Sequence, residues 1–216
     1  MALTGGFLTL FLVVHMLGNL QLFLPEGLGR ASFNAYSAAL TSNVGIKLAG
    51  WLTYTAIVVH AAISVAVWRR NRRGRPTPYL LERAAASSPW YARSMGSLGV
   101  VTLSFIVWHM QTFWYRYHWG PIGADANGNK DLYTVVVTAF REPWIVGVYV
   151  LCMLALGFHL QHGLAAVMRS LGGFGSRLDA LAPRMARTVA WSLAGPFTAM
   201  PVYVYVVHVV FPGEAS

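Results

Sequence analysis

Residues 143–168 read PWIVGVYVLCMLALGFHLQHGLAAVM, 26 residues without an Asp, Glu, Lys or Arg. A run longer than about 18 apolar residues is a candidate membrane span. In hydrocarbon only helices and closed barrels satisfy their backbone. This run is long and lacks strict alternation, so helix is the reading. Four other stretches are equally free of charge: 1–25, 48–68, 94–115 and 188–213. The whole chain is 56% hydrophobic and 11% charged, against about 45–50% and 25% for a soluble domain. The sequence therefore predicts an all-α, polytopic membrane protein. One transmembrane domain covers 1–216, with five helices at about 4–24, 45–68, 95–116, 143–168 and 188–210.

Ordinary breakers frame these helices. Pro25 and Gly27 close the first, Gly74, Pro76 and Pro78 follow the second, and Gly120 and Pro121 follow the third. Pro143 starts the fourth, where a missing N–H costs little, and Gly172 and Gly173 follow it. Pro196 and Pro201 fall inside the fifth and should bend it. Met1 leads straight into an apolar run with no basic stretch before it, which argues against a cleaved secretory signal.

Charge divides the loops. Loop 69–93 carries seven Arg against Glu82, and loop 169–187 carries Arg169, Arg177, Arg184 and Arg187 against Asp179. Loops 25–47 and 116–142 are nearly balanced. In all, 11 basic residues fall on one side and 5 on the other. By the positive-inside rule the first side is cytoplasmic, with the N-terminus inside and the C-terminus outside. Trp114, Tyr115, Tyr117, Trp119 and Trp144 gather at the outer boundary, and Trp68, Trp90 and Tyr91 at the inner one, as interfacial aromatics do. The net charge of +9 is thus a topology signal, and nucleic-acid binding is excluded. Cys152 is the sole cysteine, which excludes an internal disulfide framework, a Cys-ligated iron–sulfur cluster and C-x-x-C-H haem attachment.

Seven histidines remain to be explained. His118 stands among interfacial aromatics and reads as a headgroup residue. His208 lies near the outer end of the fifth helix. The others, His15, His60, His109 and the pair His159/His162, put an imidazole deep inside each of the first four helices. An ionisable group at such depth is costly and usually functional. A single one reads most simply as a hydrogen bond between helices; four helices sharing the feature argue for more.

Depth sorts them. His60 lies nine residues before Arg69 and His159 ten before Arg169, or roughly 13 and 15 Å from the inner boundary. His15 lies ten residues before Pro25 and His109 seven before Arg116, or roughly 15 and 10 Å from the outer one. An inner pair, His60 with His159, and an outer pair, His15 with His109, result. Two facing imidazoles from separate helices are what a six-coordinate b-type haem needs, and such ligation leaves electron transfer rather than oxygen chemistry. Gly18, Ser64 and Gly163 lie one turn from His15, His60 and His159 and would let a macrocycle approach, although small residues also serve helix–helix contacts. No Asp or Glu falls in any span, which weakens zinc, proton-pump and ion-transporter readings.

The segments His15-Met16-Leu17-Gly18-Asn19-Leu20 and Phe158-His159-Leu160-Gln161-His162-Gly163, with His60 and His109 between them, resemble the single-chain, five-helix, dihaem cytochrome b anchor of succinate:quinone oxidoreductases (succinate dehydrogenase and fumarate reductase). The likeness covers nearly the whole chain. It implies one ligand in each of the first four helices, paired first with third and second with fourth. It also implies that His159, four residues before Gly163, is the ligand, with His162 in a supporting or quinone-site role. Some relatives carry a carboxylate beside the fourth-helix ligand, where this chain has Gly157 and Phe158.

The resemblance further implies two protohaem IX groups and a quinone substrate, menaquinone or ubiquinone. Its partners would be flavoprotein and iron–sulfur subunits, in the inner (cytoplasmic) membrane and the respiratory chain, with a higher oligomer of the complex in prospect. The chain has no complete active site of its own. Haem propionates would call on Arg69 and Arg169 inside and on Arg141 and Arg116 outside, residues that equally suit lipid headgroups. Quinone candidates are Trp68, Ser64 and His162 inside and Trp108, Gln111 and Tyr36 outside, each of which also suits packing. A haem-free structural anchor and a histidine-lined transporter are the alternatives.

Overall fold

The computed structural model describes residues 1–73, 89–171 and 175–211. Gly74, Pro76, Pro78, Gly172, Gly173, Arg75, Glu82 and Arg83 lie outside the described residues, as do the side chains of Arg72, Arg177 and Asp179. The described chain is helical, with no strand. In order come α1 (Ala2–Asn19, closing in a 3-10 turn Leu20–Phe23), α2 (Glu26–Ser42), α3 (Val44–Arg73) and α4 (Trp90–Arg93). Next are α5 (Met95–His109), a π-helical turn (Met110–Tyr115) and α6 (Arg116–Trp119). Then follow α7 (Leu132–Phe140), α8 (Pro143–Leu171) and α9 (Gly175–Tyr205), the last ending in a π turn (Val206–Val210).

Four helical segments are long and apolar enough to cross a membrane: Ala2–Phe23, Val44–Asn71, Pro143–Ser170 and Ala180–Val210. The remaining apolar stretch is helical as well, but its α-helical part, α5, is 15 residues long and gives way after His109 to the wide turn. Such π turns recur at functional sites.

The start of the last helix differs most from the sequence reading. The last helix begins at Gly175 rather than near 188, and it runs through Pro183 as well as Pro196 and Pro201. Arg184 and Arg187 are thus exposed on a helix rather than in a loop. In addition, both loops read as simple connections contain helices, α2 and α7.

Packing follows residue size. On α9, Ala182, Ala186, Ala190 and Ala194 recur every fourth residue and are 0–3% exposed. Small residues at this spacing let helices approach closely, and α8 lies along the stripe. A Cβ on Gly157 of α8 would sit 3.0 Å from Trp191 and 3.1 Å from Ala194. At the end of the bundle away from Met1, α2 and α7 fold over the helices as a cap. Leu22, Phe33, Tyr133, Val137 and Phe140 bury themselves there against Phe113 and Tyr149.

The cap is locked by buried polar groups. Asn34 is 0% and Asp131 5% exposed. Asn34 Nδ2 donates to Asp131 Oδ1 at 2.9 Å, and its Oδ1 accepts from Tyr133 N at 2.9 Å. Asp131 is also the N-cap of α7, accepting from the Thr134 N–H and hydroxyl, and it pairs with Arg30. Burial alone would raise the Asp131 carboxyl, but donation from Arg30, Asn34 and Thr134 outweighs it and holds it at about 2. Gly128, at φ +81°, turns the loop that leads into α7, a conformation that favours glycine.

Candidate functional site

The four deep histidines come from four helices: His15 from α1, His60 from α3, His109 from α5 and His159 from α8. The rings of His60 and His159 lie 6.4 Å apart, and those of His15 and His109 5.8 Å apart. These are the two pairs inferred from depth. Thr4 of α1 and Ser64 of α3 place the first pair near the Met1 end, since both contact Met1. The second pair lies beneath the cap, where Phe113 and Tyr149 meet His109. His159 and Tyr149 are ten residues apart on α8, so the two levels are separated by about 15 Å.

One apolar cavity of about 2700 Å³ is lined by all four histidines. Close-packed interiors leave few voids larger than a water molecule, and a typical small-molecule site measures about 300–1,000 Å³. The cavity opens between the helices and is larger than one ordinary ligand needs.

Ring separations alone decide little, because plain aromatic pairs sit at about 4.5–7 Å. The nitrogens decide more. His60 Nδ1 lies 3.0 Å from Thr4 Oγ1, and His109 Nδ1 lies 3.0 Å from the Tyr149 hydroxyl. His159 Nδ1 is buried without a partner. Among the described residues, none of the four Nε2 atoms has a protein hydrogen-bond partner, although a ring nitrogen is always a donor or an acceptor. For the buried His159 Nδ1, going unpaired costs about 1–3 kcal/mol. The donor set is thus two imidazoles at each level. Among the described residues no three His, Cys, Asp or Glu side chains come together, whereas tetrahedral zinc needs three or four protein ligands. A planar macrocycle that brings its own nitrogens needs two. Two imidazoles from separate helices at each level are the donor set that a bis-imidazole haem calls for.

Glycine contacts support these positions. A Cβ on Gly5 would meet His60 Cε1 at 3.5 Å, and one on Gly99 would meet His159 Cε1 at 3.6 Å. Each of these two rings thus rests its Cε1 side against a glycine of a neighbouring helix. Gly163 faces open space and lines the cavity. The space beside Gly18 is taken by Tyr36, whose ring would lie 2.4 Å from a Cβ there. Ser64 donates to the His60 carbonyl at 2.7 Å.

The other proposed site residues divide. Arg69, Trp68, His162 and Tyr36 line the cavity, as does Arg93. His162 meets the Tyr91 ring at 6.4 Å. Arg169 and Arg141 are exposed and lie outside the lining. Trp108 and Gln111 line a second, smaller pocket of about 370 Å³ with Arg116 and Glu142. His118 is exposed and bonds back to the Trp114 carbonyl. Sequence reasoning missed Thr4, Gly5, Gly99 and Tyr149. The signal for Tyr149 was available, as a phenol inside an uncharged run next to a proposed ligand level.

Comparison with family models, curated proteins and solved structures finds no match for this chain.

Proposed function

We propose that this chain is a membrane-embedded cytochrome b carrying two b-type haems, one between His60 and His159 and one between His15 and His109. The reading rests above all on four imidazoles from four helices, paired at two levels of one apolar cavity, with no Nε2 partner among the described residues. In this reading α5 and the turns after it form a fifth span. The Met1 end faces the cytoplasm, because most of the basic residues fall there.

Bound haem supplies reversible one-electron transfer; this chain's residues position it and exclude water. Gly5 and Gly99 set where the His60 and His159 rings stand. Gly163 leaves room beside His159 for the macrocycle plane. Arg69 and Arg93, at the cavity wall, are suited to carry propionate charge. Phe105, Phe113 and Tyr149 pack around His109 and hold its ring at the cap level.

The chain has no dinucleotide fingerprint and no cysteine set for a cluster, so electrons must arrive from partner subunits. We assign it the role of the anchor of a succinate:quinone oxidoreductase. It would take electrons between an iron–sulfur subunit at the Met1 end and a membrane quinone. The pocket of Trp108, Gln111, Arg116 and Glu142 has the mixed polarity that a quinone head needs.

Haem stoichiometry tests this. Purification of the chain with its natural subunits, followed by extraction of protohaem, should give two per chain. Zero would overturn the proposal and leave the haem-free anchor or the histidine-lined transporter. Co-purifying flavin and iron–sulfur subunits would support the assigned enzyme; their absence beside two haems would overturn that assignment alone.

A further inference from the structure

We infer that Thr4 and Tyr149 are positioning residues, each fixing the ring and the proton of one imidazole in a pair so that its Nε2 lone pair faces the cavity. This deepens the dihaem reading and rests on it.

Thr4 stands between two partners. Its hydroxyl has a single hydrogen and donates to the Met1 carbonyl at 3.1 Å. The same oxygen lies 3.0 Å from His60 Nδ1. With that hydrogen turned to the Met1 carbonyl, Thr4 is an acceptor for a proton on Nδ1. A neutral imidazole has one N–H and one lone pair; when His60 gives its Nε2 lone pair to a metal, its proton stays on Nδ1 and is donated to Thr4.

Tyr149 serves His109 in the same way. Its hydroxyl lies 3.0 Å from His109 Nδ1 and has no other partner among the described residues. The Tyr149 ring is wedged among Phe105, Trp108 and Phe140, so the hydroxyl has little freedom to turn away. When His109 gives its Nε2 lone pair to a metal, its proton stays on Nδ1 and is donated to Tyr149. Metal-bound histidines commonly give their second N–H to such a partner, which fixes the tautomer and raises ligand basicity; losing it typically costs 10–100-fold in affinity.

The two partner rings lack this support. His159 Nδ1 is buried without a partner, and the His15 ring makes no hydrogen bond among the described residues. Each level thus has one tethered ligand and one held only by packing, against Gly99 for His159 and against Phe11 and Phe197 for His15.

A more basic ligand favours the oxidised iron, so removing the tether should raise the midpoint potential at that level alone. The experiment is a spectroscopic redox titration of the purified full complex, with low-spin electron paramagnetic resonance on the same samples. Tyr149→Phe should raise the potential and shift the g-values of the His15/His109 haem, leaving the other unchanged. Thr4→Val should do the converse, with 10–100-fold faster haem loss from the His60/His159 level, and Thr4→Ser should restore both. Retained haem with unmoved potentials and spectra in both variants would overturn the inference and spare the dihaem reading. Equal shifts at both levels would mean general loosening and would also overturn it. A wild-type complex without haem would remove the dihaem reading itself.

Discussion

The two histidine levels are built from the same chemistry and closed in opposite ways. At the cap level, His109 is ringed by Phe105, Phe113 and Tyr149, and α2 and α7 fold over the site with their own buried polar lock. At the Met1 level, His60 rests on Gly5 and Thr4, and Arg69 and Arg93 stand at the cavity wall. One end is covered by the chain's own helices, while the other has cations at the cavity wall. This difference is what an electron path requires if electrons enter at one end from a separate protein. It also predicts that the two levels fail separately.

The sharpest break in the comparison is removal of one ligand per level. His109→Ala should empty the cap level and leave the His60/His159 haem in place, lowering protohaem from two to one per chain. His159→Ala should do the reverse. Visible spectra and haem extraction read both. If either variant lost both haems or neither, the levels would not be independent and the pairing would be wrong.

A second variant should remove the difference between levels instead of exposing it. α8 carries both His159 and Tyr149 and lies along the alanine stripe of α9. Ala190 is 0% exposed, so Ala190→Leu forces extra atoms into a closed seam, at a cost of about 3 kcal/mol. Thermal unfolding in detergent should show a lower Tm with both haem bands bleaching together. Bleaching of one band well before the other would show that the seam serves one level only.

A smaller and local effect belongs to the cap. Asn34→Ala leaves the Tyr133 N–H without a partner and takes one donor from Asp131, at a cost of about 1–3 kcal/mol. Hydrogen exchange should quicken across α7 and its neighbours in α2, while α8 near His159 keeps its protection. Uniform quickening would contradict a separately folded cap.

The unequal legibility of these parts has physical causes. Spanning helices are read from one composition rule, and histidine depth from helical rise, so the two ring pairs were available before any coordinates. Cap helices α2 and α7 were not. Their stretches are short and of mixed polarity, and their order comes from Asn34 meeting Asp131 across 97 positions of sequence, a contact no local pattern announces. The helix start at Gly175 was hidden by the basic residues of 169–187, which read as a loop, yet α9 continues through them and through Pro183 and packs its alanine stripe against α8. Gly18 shows the limit of spacing arguments. One turn from His15, it reads as space for a macrocycle, but Tyr36 from the unforeseen α2 fills that place.

The smallest predicted effect is a pH dependence confined to the cap. Asp131 is held at about 2, below the roughly 3.9 of a free aspartate. A carboxyl depressed by folding contributes stability above its unfolded value and loses that contribution as pH falls through the folded one. The cap should therefore weaken between about pH 4 and pH 2. At neutral pH, Asp131→Asn should lower the Tm of cap unfolding, because Arg30 loses its ion pair and Thr134 its charged acceptor. On acidification the wild type gives up the same charge, so the Tm gap between the two proteins should narrow across that window. A gap that stayed constant from pH 5 to pH 2 would mean that the Asp131 charge does not hold the cap, and the lock would then have to reside in Asn34 and the apolar contacts of Tyr133 and Phe140.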